Sequence, residues 1–293
     1  MFDMGEVITA MVTPFNKNYD MDFELCSKLM EHLSNEGSDG IVLSGSTGEC
    51  STLDDEEKIE LFRFAKDNFG HKFKIIAGTG SNDTRHSIEL SKEAEKIGVD
   101  CLLLVTPYYN RPSQRGIFKH FEAIAAEVKI PIILYNVPSR TVSNISSKTC
   151  VELSKIDNIC AVKEASGDVR QISEIIRDSD PDFLVYSGND GDTLTILSLG
   201  GHGIISVASH IVCREIKEMI SSFKKGDFSR AAKIHLELLD IFHGIFIASN
   251  PVPIKEALNL KGINVGPCRL PLCSMEEGEL EIFKEILKKH KII

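Results

Sequence analysis

Eight short apolar runs recur along the first three quarters of the chain, and their regular spacing constrains the fold more than any other feature. Each run has β-type composition, and polar or glycine-containing residues usually follow it. The runs start roughly 20 to 34 residues apart, which leaves room for one helix between neighbours. Strands that alternate with helices predict a parallel sheet covered on both faces. The runs are Val7–Phe15, Gly40–Ser46, Lys74–Ser81, Cys101–Tyr109, Pro131–Val137, Ile159–Ser166, Phe183–Asn189 and Gly203–Ser209.

The segments between these runs have the periodicity of amphipathic helices. Thr52–Asp55 offers an N-cap hydroxyl and a carboxylate three residues later, ahead of apolar residues at helical spacing. Eight strand–helix units predict an α/β fold of the (β/α)8 TIM barrel type. A doubly wound dinucleotide-binding sheet is disfavoured, because Thr13–Asn16 has no glycine-rich phosphate loop. Further helices are predicted over Ser87–Ile97 with Gly98 as a stop, Gln114–Val128 and Ser146–Ser154.

The last quarter of the chain has helical character throughout. Helices are predicted over Phe228–Ile247, Pro253–Leu260 and Glu276–Lys291. We therefore expect a barrel catalytic domain over residues 1–225 and a C-terminal helical extension over residues 226–293.

Composition disfavours several classes of partner. A net charge of -10 argues against nucleic-acid binding. No window has the roughly 18 consecutive apolar residues of a membrane span, and Met1–Glu6 is unlike a leader peptide. Eight scattered cysteines, none in Cys-x-x-Cys spacing, are typical of reduced thiols in a cytoplasmic protein. Cys268 and Cys273 have no paired ligand set, so no metal is expected.

Lys163 is the residue that points to chemistry, because it lies inside the apolar run Ile159–Ser166. A lysine that faces the interior of a sheet is costly unless its pKa falls and the amine becomes neutral. A neutral amine attacks carbonyls and can form a Schiff base. Ala161 and Ala165 should point to the same face of the strand as Lys163, and their small side chains should leave room beside the amine. The alternative is a strand-edge lysine whose amine reaches water.

Other polar residues follow neighbouring strands, where barrel enzymes carry their active sites. Gly45–Glu49 offers two hydroxyls, Ser46 and Thr47, and free amides suited to a carboxylate or phosphate. Taken singly, each feature has an ordinary explanation: the Gly45–Glu49 segment could be a common turn, the tyrosines could be aromatic residues at the rim, and Arg140 could be a surface arginine. Asp190 and His202 are interpreted as caps or satisfied polar groups. Their coincidence at one barrel mouth favours a site. The remaining members are Tyr108–Asn110, Tyr135, Arg140 and Ser187–Asp190.

Six stretches carry a resemblance to a known family: Gly45–Glu49, Val105–Ser113, Tyr135–Thr141, Val162–Asp168, Gly203–Val207 and Asn250–Lys255. Together they resemble the dihydrodipicolinate synthase family, within the superfamily that includes N-acetylneuraminate lyase, and the resemblance covers essentially the whole chain. It implies a barrel with C-terminal helices, assembled as a homotetramer of two tight dimers. It also implies condensation of pyruvate with L-aspartate 4-semialdehyde to 4-hydroxy-tetrahydrodipicolinate, on the diaminopimelate route to lysine, without a cofactor.

The resemblance also implies a role for each site residue. Lys163 would form the pyruvate Schiff base, and Tyr135 would act as general acid and base. Thr47 and Tyr109 would complete a proton relay, with Tyr109 reaching into the neighbouring subunit's site. The pocket residues would be Ser46 and Thr47 on the pyruvate carboxylate, Gly188 and Ile205 along the wall, and Arg140 on the semialdehyde carboxylate.

Two departures from the family pattern affect these expectations. Ser46 stands where the family usually has threonine, which keeps the hydroxyl. Lysine-inhibited members tend to have a carboxylate where this chain has His86, and histidine where it has Asp55 or Lys58. We therefore predict weak or absent inhibition by lysine. The corresponding dimer-interface cleft would comprise Cys50, Ser51, Asp55, Lys58, Asn82, His86 and Tyr108.

Two other functions remain open at this point. An N-acetylneuraminate lyase or 2-keto-3-deoxy sugar acid aldolase would share the lysine, the tyrosine and the hydroxyl pair. Arg140 favours the synthase, because a polyol does not need a guanidinium for a second carboxylate. A non-catalytic binding paralogue would keep the fold alone.

Overall fold

Eight parallel strands close into a barrel in which each strand pairs with the next and β8 pairs with β1. The computed structural model describes residues 3–293. The predicted (β/α)8 barrel is confirmed, and all eight strands lie within the predicted runs. Each strand ends before its run does, because the chain leaves the sheet to form the loops of the barrel mouth. The strands are β1 Val7–Ala10, β2 Gly40–Leu43, β3 Lys74–Gly78, β4 Cys101–Val105, β5 Ile132–Asn136, β6 Ile159–Glu164, β7 Leu184–Ser187 and β8 Gly203–Ser206.

Helices follow the strands around the outside of the barrel. Gly98 ends α3 in the left-handed region at φ 86°, as the sequence predicts. The predicted cap of α2 is wrong by two residues. Asp54 caps that helix, with Glu57 in a reciprocal capping box, and the Thr52 hydroxyl donates to Glu49 O instead. The first nine helices are α1 Phe23–Asn35, α2 Asp55–Phe69, α3 Thr84–Ile97, α4 Gln114–Ala125, α5 Pro138–Thr141, α6 Ser147–Leu153, α7 Val169–Asp178, α8 Thr193–Ser198 and α9 Ser209–Lys224.

The inner face of the barrel decides where the site lies. Ala161 and Ala165 pack inside the barrel with Tyr135 and Ile205, which confirms the predicted inward phase of β6. Strand register places Lys163 opposite Tyr135 on β5. Because alternate residues of a strand share a face, the amine also points into the barrel. The closed sheet therefore holds it among buried side chains.

Three further helices complete the chain: α10 Phe228–Gly244, α11 Val252–Leu260 and α12 Glu277–Lys289. Each agrees with a predicted helix to within a few residues at its ends. The proposed boundary between residues 225 and 226 falls in the turn between α9 and α10. Within residues 3–293, none of the helices combines the length and apolar character needed to cross a membrane.

Candidate active site

Lys163 is held on β6 with only 5% of its surface exposed. Its Nζ lies 4.4 Å from the centroid of the Tyr135 ring. Burial lowers the pKa of the amine to about 8, with the charge of Asp190 opposing the fall and that of Arg140 adding to it. The alternative of a surface lysine whose amine reaches water is therefore wrong. At pH 7 about one tenth of such amines are neutral, against roughly one in three thousand at an ordinary pKa.

Tyr135 is buried beside this amine. Burial raises the pKa of its phenol, while the positive charge of Arg140 and the hydroxyl of Ser46 each lower it. The phenol is thus protonated at neutral pH and can donate a proton to a developing anion. A cation formed at Lys163 would further favour the phenolate, which gives Tyr135 both acid and base roles.

The two hydroxyls of the Gly45–Glu49 turn have different partners. Ser46 faces the phenol of Tyr135 closely enough to lower its pKa. Thr47 Oγ1 instead accepts a hydrogen bond of 2.9 Å from Asn250 Nδ2. The family resemblance implies Thr47 as the relay hydroxyl, whereas the hydroxyl beside the phenol is that of Ser46.

A cavity of about 430 Å³ joins these groups at the carboxyl ends of the strands. Its lining includes Lys163, Tyr135, Thr47, Arg140 and Gly188. Arg140, on the short helix α5, also borders two neighbouring cavities, of about 370 and 620 Å³. The guanidinium therefore lies where the cavities of the mouth meet, as expected for a group that receives a second substrate.

The two predicted wall residues have different positions. Gly188 borders the cavity, and a Cβ there would lie 2.7 Å from Ala165 Cβ, so a larger residue would displace β6. Ile205 packs in the barrel interior with Tyr135 and Ala161. It supports the site from within the core.

Asp190 was interpreted from the sequence as a cap or a satisfied polar group, and the structure shows a satisfied carboxylate that also borders the cavity of Lys163. Its buried carboxylate accepts from Ser206 Oγ at 2.5 Å and from the amides of Val207 and Ala208 at 3.2 and 3.3 Å. Burial raises the pKa of Asp190, and these donors and the Lys163 charge oppose the rise. The signal was its position after strand seven. His202, by contrast, packs on Tyr186 at 5.2 Å.

The C-terminal region supplies wall residues that the sequence analysis missed. Phe242, His243, Phe246 and Asn250 all border the cavity of Lys163. In the sequence, only the family resemblance over Asn250–Lys255 pointed towards this region, and it implied no role for these residues. The helical extension is therefore part of the site.

Tyr109 projects away from its own chain, with 89% of its surface exposed. Its backbone has φ 70°, in the left-handed region that few non-glycine residues adopt. Tyr108 is partly exposed and borders the 370 Å³ cavity instead. The phenol of Tyr109 is thus directed outwards, where a second subunit could meet it.

The predicted allosteric residues form a lined cavity and an adjoining ionic network. Cys50, Ser51 and Tyr108 border the 370 Å³ cavity. Asp55 accepts from Lys58 Nζ at 3.0 Å and pairs with His86 Nε2 at 2.8 Å. Burial works against ionisation of Asp55, yet these two partners outweigh it and lower its pKa. The ionised carboxylate of Asp55 is therefore already engaged by Lys58 and His86. Asn82 is nearby in the chain, and its carbonyl accepts from Asn110 at 2.9 Å.

Among residues 3–293, no group of three or more His, Cys, Asp or Glu side chains could hold a metal ion. The polar groups that line the cavity include the amine of Lys163, the phenol of Tyr135 and the guanidinium of Arg140, which suit keto-acid chemistry.

A desolvated lysine beside a phenol, at the mouth of a (β/α)8 barrel, defines an imine-forming barrel enzyme. The chain belongs to the dihydrodipicolinate synthetase family, whose sequence profile matches residues 3–290. The 4-hydroxy-tetrahydrodipicolinate synthase of Heliobacterium modesticaldum is 51% identical over 288 residues, which cover 98% of this chain and 96% of that one.

Solved structures of two family members are also similar. The dihydrodipicolinate synthase of Cyanidioschyzon merolae, with lysine bound, superposes with a TM-score of 0.97 and 43% identity, over 99% of both chains. The chloride-inhibited enzyme of Acinetobacter baumannii, complexed with pyruvate, has a TM-score of 0.96 and 38% identity. That match covers 99% of this chain and 100% of the other.

The lowered pKa of Lys163 predicts a specific pH dependence. We expect adduct formation with a keto-acid probe to accelerate about tenfold per pH unit below the pKa of about 8 and to level off above it, because only the neutral amine attacks. Replacing Asp190 with Asn should move this midpoint to lower pH, because a charge that favours the ammonium is lost. Timed borohydride trapping with mass spectrometry measures the rates, with Lys163→Arg as control. A midpoint near that of free lysine would contradict the prediction.

Proposed function

We infer that the protein is a 4-hydroxy-tetrahydrodipicolinate synthase, which condenses pyruvate with L-aspartate 4-semialdehyde in lysine biosynthesis. The observation that carries this inference is the buried amine of Lys163, with a pKa of about 8, in one cavity with Tyr135 and Arg140. Full-length similarity to synthases of this name supports it.

Catalysis would begin at Lys163. Its neutral amine adds to the keto carbon of pyruvate, and water leaves to give an iminium. Loss of a methyl proton then gives an enamine, with the iminium as the electron sink, so the step needs no cofactor. The enamine carbon attacks the aldehyde, and Tyr135 protonates the alkoxide that forms. Attack of the substrate's own amino group on the imine carbon closes the ring and frees Lys163.

The two carboxylates of the substrates would be held by different groups. The amides and hydroxyls of the Gly45–Glu49 turn suit the pyruvate carboxylate next to Lys163. Arg140, at the junction of the cavities, suits the carboxylate of the semialdehyde in bidentate fashion. Its positive charge also favours the synthase over a sugar-acid aldolase, whose substrate presents hydroxyls there.

The relay hydroxyl would be that of Ser46 and not that of Thr47. Ser46 interacts with the phenol of Tyr135, whereas Thr47 is engaged by Asn250. Tyr109 would extend the relay into the neighbouring subunit, since its exposed side chain points away from its own cavity. We therefore propose a homotetramer made of two tight dimers, with each site completed by the partner's tyrosine. A cytoplasmic location fits the eight free thiols.

In this chain, lysine would bind weakly to the cleft that Cys50, Ser51 and Tyr108 border. A ligand ammonium needs a free carboxylate, and the one nearby, Asp55, is paired with both Lys58 and His86. A bound lysine would have to displace one of these two partners. Lysine is bound in the relative from Cyanidioschyzon merolae, so the proposal concerns a difference within the family.

The decisive test of the function is adduct mapping together with turnover. Incubation with pyruvate and borohydride should add a reduced pyruvate unit to Lys163, and semialdehyde should then be consumed by the unreduced enzyme. The control is Lys163→Ala, which keeps the cavity and removes the nucleophile. An adduct without semialdehyde turnover would favour a sugar-acid aldolase. Absence of the adduct would leave the non-catalytic paralogue.

The relay assignment predicts different defects for the two hydroxyls. Ser46→Ala should lower kcat by about a hundredfold with little change in the KM for pyruvate, because proton transfer is impaired. Thr47→Ala should mainly raise the KM for pyruvate. Ser46→Thr retains the hydroxyl and should keep most of kcat. Steady-state kinetics decide, and the reverse pattern would return the relay to Thr47.

The ionic network predicts no inhibition by sub-millimolar L-lysine. The combined variant Asp55→His, Lys58→His and His86→Glu should introduce inhibition, because it places a carboxylate at position 86 and removes the competing ammonium at position 58. Initial rates with and without L-lysine measure both. Sub-millimolar inhibition of the unmodified enzyme would sink the proposal.

A further inference from the structure

A buried ion pair joins the active-site turn to the C-terminal helical extension. Lys255 Nζ lies 2.6 Å from Glu49 Oε1, and the two side chains are only 2% and 1% exposed. Glu49 directly follows the Ser46–Gly48 segment, whereas Lys255 lies in the first turn of α11. Removing two charges from water is expensive, so such a pair is retained only where its other contacts are well made.

Those other contacts are present on both partners. Lys255 Nζ donates to Pro267 O at 2.8 Å and lies 4.3 Å from the centroid of the Phe15 ring. Glu49 Oε2 accepts from the amide of Arg269 at 2.8 Å. The guanidinium of Arg269 covers the same Phe15 ring at 4.3 Å. The pair is therefore embedded in a network that the segment after α11 completes.

Glu49 also closes the turn that carries the two hydroxyls. Its amide donates to Ser46 O at 3.2 Å, and its own φ of 55° lies in the left-handed region. A residue with a side chain adopts that conformation only when its surroundings impose it. The buried contacts of the Glu49 carboxylate are such surroundings.

The segment that leads into α11 reaches the turn at a second point. Asn250 lies two residues before the start of α11 and donates to Thr47 Oγ1. Thr13, three residues after the end of β1, donates from its hydroxyl to Gly48 O at 2.7 Å. The turn is thus held by the segment after β1 and by the segment before α11, and it cannot shift without disturbing one of these contacts.

We propose that the buried Glu49–Lys255 pair is a positioning device that holds the Ser46–Thr47 turn in the geometry needed to bind the substrate carboxylate. Neither residue borders the 430 Å³ cavity of Lys163. A pair of well-packed apolar residues is often as stable as a buried ion pair. The presence of charges at this position is therefore better explained by the directed contacts that they make around the turn. This inference rests on the proposed use of pyruvate.

The test separates positioning from folding. Lys255→Met and the double variant Glu49→Gln/Lys255→Met remove the pair, and the double variant leaves no unpaired buried charge. We expect the double variant to fold, and both variants to need at least tenfold more pyruvate for half-maximal borohydride trapping on Lys163. The KM for the semialdehyde should change little. Lys66→Met, which breaks the Lys66–Asp100 pair of 3.1 Å away from the turn, is the matched control.

Each outcome has a distinct meaning. Folded pair variants that trap pyruvate at the concentration needed by the unmodified enzyme would overturn the inference. If both pair variants fail to fold, Lys255→Arg carries the test, because it keeps the charge and displaces the donor. A folded Lys255→Arg enzyme with unchanged half-maximal pyruvate would also overturn the inference. If the unmodified enzyme forms no adduct, the proposed function fails instead.

Discussion

Exclusion of water from the barrel interior is the constraint on which the site depends. A closed parallel sheet has no edge, so every inward side chain is surrounded by the chain's own atoms. An ammonium in such surroundings loses hydration that neighbouring groups replace only in part. Burial therefore favours the neutral amine of Lys163, which is the form that the proposed mechanism requires as its nucleophile.

Two charges adjust that effect in opposite directions. Asp190 favours the ammonium, and Arg140 favours the neutral amine and also lowers the pKa of Tyr135. The charge of Arg140 therefore acts on both Lys163 and Tyr135. In the proposed mechanism, the carboxylate of the second substrate would neutralise Arg140, and both influences would then weaken together. Binding and protonation state are coupled in this arrangement through a single guanidinium.

Features set by local periodicity could be predicted from the sequence, and features set by distant contacts could not. The strands, most helix bounds and the inward phase of Lys163 follow from alternation and helical spacing, which each segment contains. The partners of Ser46 and Thr47 depend on the exact path of one turn, which adjacent hydroxyls cannot reveal. The role of Asp190 depends on donors from the next strand end. Asp54 caps α2 because it forms a capping box with Glu57, in which each side chain accepts from the other's backbone amide. The Thr52 hydroxyl instead donates to Glu49 O in the preceding turn.

The contact between Thr47 and Asn250 joins residues 203 positions apart. During synthesis, the last barrel strand is complete once Ser206 has been added, yet Asn250 and Lys255 are then still to be translated. A nascent chain can therefore possess all eight strands and the reactive lysine while the turn beside them still lacks its C-terminal contacts. The turn can therefore reach its final contacts only after the segment that contains Asn250 and Lys255 has been made and has reached the barrel.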